Sequence, residues 1–234
     1  MSKFGFGFEM RKNTTVIIPT LNEAATVKDV ILGVKRYVDH VLVIDGNSAD
    51  STTEIAKSLG AEIVLQKGIG KGVALRQAFS SKNIKEVVIF LDGDGSMLPS
   101  EIPLFFKAIK SGAHVVKGSR FLGTGYSTDL TLSRRIGNLM LVLLVNLLWR
   151  TQYTDLCYGF GAVSKNALEK ILPSLTSKSF EIETEFFIKA RKFGFVVAEV
   201  PSIELRRKAG ISNLHAVFDG YKILRTILRE YFRT

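Results

Sequence analysis

The sequence contains few residues of the kinds that form disulfides and soft-metal sites. Its 234 residues include one cysteine, Cys157, and three histidines, His40, His114 and His215. One cysteine forms neither an internal disulfide nor a cysteine-based zinc site, and three scattered histidines do not provide a histidine-rich metal centre. The low cysteine count therefore predicts a protein of a reducing, cytoplasmic compartment.

Long apolar runs are also scarce. Residues 1–13 have no apolar core of signal-peptide length, which argues against secretion, and we interpret them as an N-terminal arm. The longest apolar stretch, 136–149, is about 21 Å long as a helix, whereas the hydrocarbon core of a bilayer is roughly 30 Å thick. We therefore expect that this stretch does not cross a membrane by itself.

Signatures of several function classes are absent. The chain has no Gly-x-Ser-x-Gly elbow and no His-Glu-x-x-His segment, so the usual hydrolase signatures are missing. It also has neither an aromatic RNA-binding motif nor a helix-turn-helix pattern. Nucleic acid is therefore not an expected partner.

Positive charge, by contrast, is abundant. The chain carries 32 Lys and Arg residues against 22 Asp and Glu residues, a net charge of +10. Such a chain is attracted to anionic lipid surfaces and to phosphorylated small molecules. Residues 215–234 are predicted to form an amphipathic helix with apolar side chains at three- and four-residue steps. This helix is expected to pack either on its own domain or on a membrane surface.

Short strand patterns alternate with helical patterns along the first half of the chain. The predicted strands there are 15–19, 41–44, 62–65 and 87–91. Between them, the capping-box spacing of Thr20–Glu23 predicts the start of a helix, and helices are also predicted for 50–60 and 71–81. This alternation predicts an α/β fold with parallel βαβ units and a doubly wound sheet.

The second half of the chain has a different pattern. A segment rich in Gly, Ser and Thr, 118–133, precedes the apolar stretch and is long enough to be a functional loop. A helix near 183–192, a strand at 196–200 and a basic hairpin-like segment at 203–213 are predicted to follow. In open α/β sheets, ligands bind beyond the carboxyl ends of the strands, so the residues directly after strands are the candidate site residues.

Two aspartates, Asp92 and Asp94, follow the fourth predicted strand. Residues i and i+2 of a strand point to the same side, and Gly93 between them allows a turn that brings both carboxylates to one hard cation. Oxygen ligands of this kind suit Mg²⁺ or Mn²⁺. An ordinary Asp-Gly turn is the alternative interpretation.

Two further segments are candidates for binding a nucleotide. Asp45 ends the second predicted strand, where an acid commonly receives a nucleoside hydroxyl or a base donor. The glycine-rich loop 67–72 is suited to hold phosphates through its backbone amides, although a plain tight turn explains it equally well. It matches neither a Walker A loop nor the dinucleotide fingerprint, because Gly72 and Val73 stand where those motifs require other residues.

Nine segments carry a resemblance to a known family. The first five are Val16–Glu23 (VIIPTLNE), Ile44–Asp50 (IDGNSAD), Gly70–Gly72 (GKG), Asp92–Asp94 (DGD) and Gly118–Phe121 (GSRF). The later four are Asp155–Phe160 (DLCYGF), Phe180–Glu185 (FEIETE), Glu199–Pro201 (EVP) and Arg207–Ser212 (RKAGIS). In order and spacing the first five resemble the GT-A glycosyltransferases of family 2. The later four resemble its branch of dolichol-phosphate mannose synthase and bacterial polyprenyl-phosphate sugar transferases.

The resemblance implies a fold, a cofactor and a set of site residues. It implies one GT-A (Rossmann-like) domain over 14–214, with a mostly parallel sheet flanked by helices, and Mg²⁺ or Mn²⁺ at Asp92 and Asp94. The residues that it places at a nucleotide-sugar donor are Pro19, Leu21, Glu23, Ile44, Asp45, Lys71, Asp92, Gly93, Asp94 and Arg207. Those that it places at an acceptor phosphate are Arg120, Arg134, Arg135 and Lys208. The implied catalytic set is Asp92, Asp94, Arg120 and Arg207.

Three positions depart from the family pattern. Gly46 replaces the second aspartate of a common Asp-Asp-Gly-Ser motif, and Leu21 replaces a frequent tyrosine. Both changes predict altered contacts to the nucleobase. Asn213 stands where many members have a lysine, which leaves Lys208 as the substitute for that charge.

The resemblance implies an inverting transfer of a hexose, mannose or glucose, from a GDP- or UDP-sugar to a polyprenyl or dolichyl phosphate. A phosphate monoester is already mostly a dianion at pH 7, so this acceptor requires no general base. The enzyme is then expected at the cytoplasmic membrane face as a peripheral protein, with or without a separate integral-membrane partner.

Two other functions stay open on sequence grounds. A transferase with a soluble acceptor, either a phosphorylated organic acid or a sugar hydroxyl, is the enzymatic alternative. A hydroxyl acceptor needs a base, for which Asp155 is the first candidate and Glu183 or Glu185 the next. An inactive nucleotide-binding scaffold on a membrane surface is the non-enzymatic alternative.

Overall fold

A seven-stranded sheet forms the centre of the computed structural model, which describes residues 9–209 and 215–233. The strands are β1 (Thr14–Thr20), β2 (His40–Asp45), β3 (Glu62–Leu65), β4 (Val87–Phe90), β5 (Val115–Ser119), β6 (Tyr126–Ser127), β7 (Gly161–Ser164), β8 (Val197–Pro201) and β9 (Ile203–Glu204). The main helices are α1 (Val27–Lys35), α2 (Thr52–Ser58), α3 (Lys71–Phe79), α4 (Ile102–Lys110), α5 (Leu132–Trp149), α6 (Lys165–Ile171), α7 (Ile182–Lys192) and α8 (Ala216–Phe232).

The sheet is mostly parallel, in the order β3-β2-β1-β4-β7-β5-β8. Only β7 runs antiparallel to its neighbours, β4 and β5, within this sheet. The short strands β6 and β9 pair with each other in a separate two-stranded sheet. The α/β fold with a mostly parallel sheet is therefore confirmed. Because β1, β2, β3 and β4 are parallel, the residues that follow them meet at one edge of the sheet.

Helices cover both faces of the sheet, which explains the apolar run 16–18 in the middle of β1. Val16 and Ile17 of β1 are fully buried although they point to opposite faces. Ile17 belongs to the apolar cluster that includes Phe79 of α3 and Phe186 of α7, whereas Val16 belongs to the cluster that includes Phe105 of α4. A strand buried on both sides reads as a continuous apolar run, as here.

One predicted helix boundary is wrong. Thr20 does not begin a helix; it is the last residue of β1 and lies opposite Asp45 of β2. Helix α1 begins only at Val27. The local capping pattern of Thr20–Glu23 is overridden because strand pairing with β2 fixes the backbone of Thr20 in the extended conformation.

The structure describes only part of two predicted segments, the N-terminal arm 1–13 and the hairpin-like segment 203–213. The first eight residues of the predicted arm 1–13 lie outside them, and residues 9–12 form a helical turn. The predicted hairpin-like segment 203–213 is wrong in its described part, because β9 pairs in parallel with β6 rather than with a strand of its own hairpin. Residues 210–214 lie outside the described part of the chain.

Helix α5 is longer than the apolar stretch 136–149 that predicted it. It begins at Leu132, after Thr131, whose hydroxyl accepts a hydrogen bond from the Arg134 backbone N–H. Its 18 residues give a length of about 27 Å. By length and composition alone it qualifies to cross a membrane. The predicted length of about 21 Å is therefore too short, because the N-terminal boundary of the helix was placed too late.

Candidate active site

The loop after β4 lies against the end of β1. A Cβ on Gly93 would lie 2.9 Å from Thr20 Cγ2 and 3.2 Å from the carbonyl oxygen of Pro19, so only glycine allows this approach. The side chains on either side, Asp92 and Asp94, are each held by a different cation of the chain. The predicted pair of aspartates thus stands at the carboxyl edge of the sheet.

Asp92 forms a partly buried three-charge cluster with a lysine and a glutamate. Lys71 Nζ lies 2.5 Å from Asp92 Oδ1 and 2.6 Å from Glu183 Oε1. Burial opposes the charge on this lysine, but the two carboxylates outweigh it and raise the pKa of Lys71. Burial also raises the pKa of the Glu183 carboxyl, although Lys71 opposes that shift. Lys71 therefore stays protonated at neutral pH.

Backbone contacts place Lys71 at the start of α3. Gly70, which precedes it, has a φ of +108°, and a Cβ there would lie 2.2 Å from the carbonyl oxygen of Lys178. That carbonyl accepts a hydrogen bond from the backbone N–H of Gly72 at 3.0 Å. The glycines of the loop 67–72 therefore allow the loop backbone to pack directly against the backbone of residues 177–178.

Asp94 is held by Ser96 and Arg207. Its Oδ1 accepts hydrogen bonds from the backbone N–H and the hydroxyl of Ser96, at 2.9 and 2.7 Å. Its Oδ2 lies 3.0 Å from one Nη atom of Arg207, and the other Nη atom of Arg207 lies 3.4 Å from Glu23 Oε1. Burial raises the pKa of the Glu23 carboxyl, while Arg207 opposes that shift.

This arrangement is suited to a metal-bridged diphosphate. Within the described residues no group of three or more His, Cys, Asp or Glu side chains is placed to hold a metal ion. The two carboxylates of Asp92 and Asp94 nevertheless fit Mg²⁺ or Mn²⁺, since such ions are commonly bound by one or two carboxylates together with phosphate oxygens and water. Lys71 and Arg207 are the cations that stand next to the same carboxylates.

The nucleotide candidates at the ends of β1 and β2 differ in their access. Leu21 is 45% exposed and Pro19 is partly exposed, whereas Ile44 and Asp45 are fully buried. Asp45 Oδ1 accepts hydrogen bonds from the Thr20 hydroxyl at 2.9 Å and from the Ser48 hydroxyl at 2.6 Å. Its other oxygen accepts one from the Ser48 backbone N–H at 2.7 Å. Both oxygens of Asp45 thus have partners inside the protein.

Arg120 lies below the surface in a second charge cluster. Its Nε and one Nη donate to the two oxygens of Asp155, at 2.7 and 3.0 Å. The other Nη donates to Glu204 at 3.1 Å, and the carbonyl of Cys157 accepts a further bond. All three guanidinium nitrogens therefore have acceptors inside the protein, and the guanidinium also lies 5.9 Å from the centre of the Phe121 ring, which Arg135 contacts as well.

The candidate bases Asp155 and Glu185 are also bonded internally. Burial opposes ionisation of Asp155, but Arg120 outweighs it and lowers the pKa of the Asp155 carboxyl. Glu185 is fully buried and accepts bonds from the backbone N–H groups of Thr176 and Ser177 and from Arg229. The third candidate, Glu183, faces Lys71, so each of the three carboxylates has a partner.

The remaining basic candidates lie nearer the surface. Arg134 lies 3.5 Å from Asp129, and the guanidinium of Arg135 lies over the Phe121 ring at 5.6 Å. Lys208 pairs with Asp29 at 3.1 Å, and both of these side chains are more than half exposed. Of the candidate cations, the structure therefore brings Lys71 and Arg207 to the aspartate pair.

Sequence reasoning missed two residues that touch the site. A Cβ on Gly159 would lie 2.6 Å from Lys71 Nζ and 3.2 Å from Asp92 Oδ2, so this glycine leaves room for the charge cluster. Gln66 follows β3 at the same sheet edge as Asp92. The rule that ligands lie just after strands points to Gln66, whereas Gly159 lies in the segment Asp155–Phe160 that carries the family resemblance but was given no role of its own.

The chain matches a protein-family model, Glycosyl transferase family 2, over residues 15–172. It is 33% identical over 222 residues to glycosyltransferase AglJ of Haloferax volcanii, covering 92% of this chain and 71% of that protein. It is 29% identical over 217 residues to the dolichyl-phosphate hexose transferase of the same organism, covering 92% of each. The resemblance predicted from the sequence motifs is confirmed.

Solved structures share the fold at lower identity. Glucosyl-3-phosphoglycerate synthase from Mycobacterium tuberculosis, crystallised with Mn²⁺, uridine diphosphate and phosphoglyceric acid, matches with a TM-score of 0.73 and 20% identity. The match covers 94% of this chain and 79% of that one. This similarity supports the GT-A architecture of the sheet and its flanking helices.

Proposed function

Because the chain belongs to glycosyl transferase family 2, we propose that it transfers a hexose from a nucleotide diphosphate sugar to a polyprenyl or dolichyl phosphate. Two relatives support the acceptor class through their names. Besides the hexose transferase of Haloferax, a dolichyl-phosphate N-acetylglucosaminyltransferase of Methanococcus voltae is 26% identical over 235 residues, covering 91% of this chain and 94% of that protein. The name of AglJ supports the glycosyltransferase class but gives no acceptor.

The observation that carries the proposal is the pairing of Asp92 and Asp94 with Lys71 and Arg207 at one sheet edge. Two acids that flank a turn hold a divalent cation, and two adjacent cations bind the oxygens of a diphosphate. When bound, Mg²⁺ or Mn²⁺ supplies Lewis-acid neutralisation of charge on the leaving diphosphate. Arg207 adds a positive charge next to Asp94.

In the proposed reaction an acceptor phosphate oxygen forms a bond to the anomeric carbon while the bond from that carbon to the diphosphate breaks. The electron pair of the broken bond leaves with the nucleoside diphosphate, and the anomeric configuration inverts. The internal bonding of Asp155, Glu183 and Glu185 supports this acceptor over a sugar hydroxyl, because each candidate base already has a partner. A dianionic phosphate needs no base.

The apolar outer faces of α5 and α8 support a position on a membrane surface. On α5, the exposed apolar side chains follow helical spacing: Leu132, Ile136, Leu139, Met140, Leu143 and Leu147. The opposite face carries Val142 and Val145, which are buried in the core, so α5 is fixed to the domain. We propose that these faces lie on the cytoplasmic leaflet, with nearby arginines next to anionic headgroups. Sedimentation with anionic vesicles at low salt tests this position, and protein left in the supernatant contradicts it.

The function is tested with Mn²⁺, a panel of radiolabelled GDP- and UDP-sugars and a short-chain polyprenyl phosphate. Label is expected to move into the organic phase with the intact chain and to fall at least 100-fold with Asp92→Asn or Asp94→Asn. Asp39→Asn, which alters an exposed aspartate just before the opposite end of β2, is the matched control and should retain activity. Transfer to a soluble acceptor instead, or no transfer from any donor, contradicts the proposal.

A further inference from the structure

Helix α3, which begins at Lys71, is capped by a distant part of the chain. Its N-terminus has no side-chain cap, and the first backbone N–H groups of any helix lack partners within the helix. The carbonyl oxygen of Lys178 accepts hydrogen bonds from the N–H groups of Gly72 and Val73, at 3.0 and 3.3 Å. The 176–178 segment therefore caps α3, and its position decides where the backbone of Lys71 stands.

A buried carboxylate, Glu185 of α7, holds the 176–178 segment in place. Glu185 is fully buried, and its Oε2 accepts hydrogen bonds from the backbone N–H groups of Thr176 and Ser177, at 3.0 and 2.8 Å. Its Oε1 accepts a further bond from the Thr176 hydroxyl at 2.8 Å. Glu185 thus fixes the backbone directly before the carbonyl that caps α3.

The charge partner of Glu185 comes from the C-terminal helix α8. One Nη atom of Arg229 donates to Glu185 Oε1 at 2.8 Å and to the Ser177 hydroxyl at 3.4 Å. The Arg229 side chain is 31% exposed, so it reaches inward from the surface to a carboxylate that water does not contact. Removing one partner of such a pair leaves an uncompensated buried charge. Loss of Arg229 therefore displaces Glu185 or admits water to it, and either change loosens the 176–178 segment.

We propose that Arg229 and Glu185 are positioning residues of the donor site, which act on Lys71 through the 176–178 segment. The inference rests on the proposed function, in which Lys71 stands next to Asp92 and binds the donor diphosphate. The helix that is proposed to lie on the membrane surface with its outer face thus fixes the donor site with its inner face. Loss of Arg229 should weaken binding of the donor diphosphate and leave the acceptor unaffected.

The test measures the binding of UDP and of GDP to the full chain by titration calorimetry in the presence of Mn²⁺. The diphosphate that the unmodified protein binds more tightly is expected to bind Arg229→Met about tenfold more weakly. The KM for a short-chain polyprenyl phosphate should stay within about twofold, because the acceptor does not depend on Lys71. A general loss of folded structure would affect both ligands, so the split between them identifies the positioning role.

Lys189→Met is the matched control. Lys189 joins the same two helices, α7 and α8, through an ion pair with Glu230 at 2.8 Å. Among the described residues this pair forms no hydrogen bond to the 176–178 segment. Lys189→Met should therefore lower the midpoint of thermal unfolding but keep the diphosphate affinity within about twofold. The control separates positioning of the segment from weaker docking of α8.

A double variant identifies the route. Lys71→Met alone should weaken diphosphate binding, because the cation next to Asp92 is lost. Adding Arg229→Met to it should change the affinity by less than about twofold, since residues that act through a shared partner are not additive. If the two effects multiply, Arg229 does not act through Lys71 and the inference is overturned.

The remaining outcomes separate this inference from the proposed function. An Arg229→Met protein with unchanged diphosphate affinity overturns the inference, and so does a Lys189→Met protein whose affinity falls as far. If Arg229→Met does not fold, Arg229→Gln decides, because glutamine keeps an N–H donor for Glu185 but no charge; unchanged affinity in that variant overturns the inference. Unmodified protein that binds neither UDP nor GDP contradicts the proposed function itself.

Discussion

Replacing Asp155 with asparagine distinguishes a structural carboxylate from a catalytic base. In the folded protein the Asp155 carboxylate bonds the Arg120 guanidinium through both oxygens, and neither residue is more than 3% exposed. Asparagine keeps one acceptor oxygen but removes the charge, so among the described residues the buried guanidinium retains Glu204 as its charged partner. The structure therefore predicts loss of stability as the first effect.

The magnitude follows from the burial of the pair. Breaking a buried ion pair by removing one partner costs about 3–5 kcal/mol of unfolding free energy. For a chain of this size 1 kcal/mol corresponds to about 2–4 °C, so the midpoint of thermal unfolding should fall by roughly 6–20 °C. Asp39→Asn breaks an ion pair with Arg11 whose partners are both more than 40% exposed. That control should lower the midpoint by less than about 4 °C.

The loss of stability in Asp155→Asn should also depend on pH. The pKa of Asp155 is lowered in the folded protein, so its stabilisation is present above the unfolded pKa near 4 and is lost as pH falls through the folded pKa. The stability difference between Asp155→Asn and the unmodified protein should therefore shrink below about pH 4. Calorimetric or urea unfolding between pH 3 and 8 measures this difference.

The opposite result refutes the structural role. If Asp155→Asn unfolds at the same temperature as Asp39→Asn while its turnover falls about a thousandfold or more, Asp155 acts on the reacting atoms. That outcome favours a hydroxyl acceptor and a general base. A destabilised variant that keeps its activity when assayed well below its unfolding midpoint supports the arrangement described above.

Two further predictions concern the donor site and the membrane face. Gly159→Ala places a Cβ 2.6 Å from Lys71 Nζ and 2.8 Å from Glu183 Oε1, so the charge cluster must rearrange. Donor affinity measured by competition should fall about tenfold, or 1.4 kcal/mol, and the thermal midpoint should fall as well because Glu183 is buried. Unchanged donor affinity would show that Lys71 does not position the diphosphate. Leu143→Glu places a charge on the exposed face of α5, where Leu143 is 60% exposed. The Leu143→Glu protein should lose vesicle binding without a change in thermal stability. The control Val142→Ala, on the buried face of α5, should lower thermal stability but keep vesicle binding. If Leu143→Glu binds vesicles as well as the unmodified protein does, the proposed membrane surface is contradicted.

Most of the strand pattern could be predicted from the sequence. The apolar runs of β2, β3 and β4 are short and bounded by polar residues, so their limits were predicted to within one residue. The Thr20–Glu23 helix start failed because the same residues satisfy both a capping pattern and a strand end, and only pairing with β2 decides between them. The antiparallel β7 has no local signal, since strand direction depends on the path of the whole chain.

The candidate site likewise combines features that the sequence predicts with features that depend on the tertiary structure. The sequence by itself determined that Asp92 and Asp94 stand at a sheet edge, because a strand followed by a turn delivers its next side chains there whatever the rest of the chain does. Only the tertiary structure decided the charge partners: Arg207 meets Glu23, 184 positions away, and Arg120 is occupied by Asp155 rather than open to a ligand. The physical reason is that a charged side chain pairs with the nearest opposite charge in space, and that neighbour is set by the packing of distant segments.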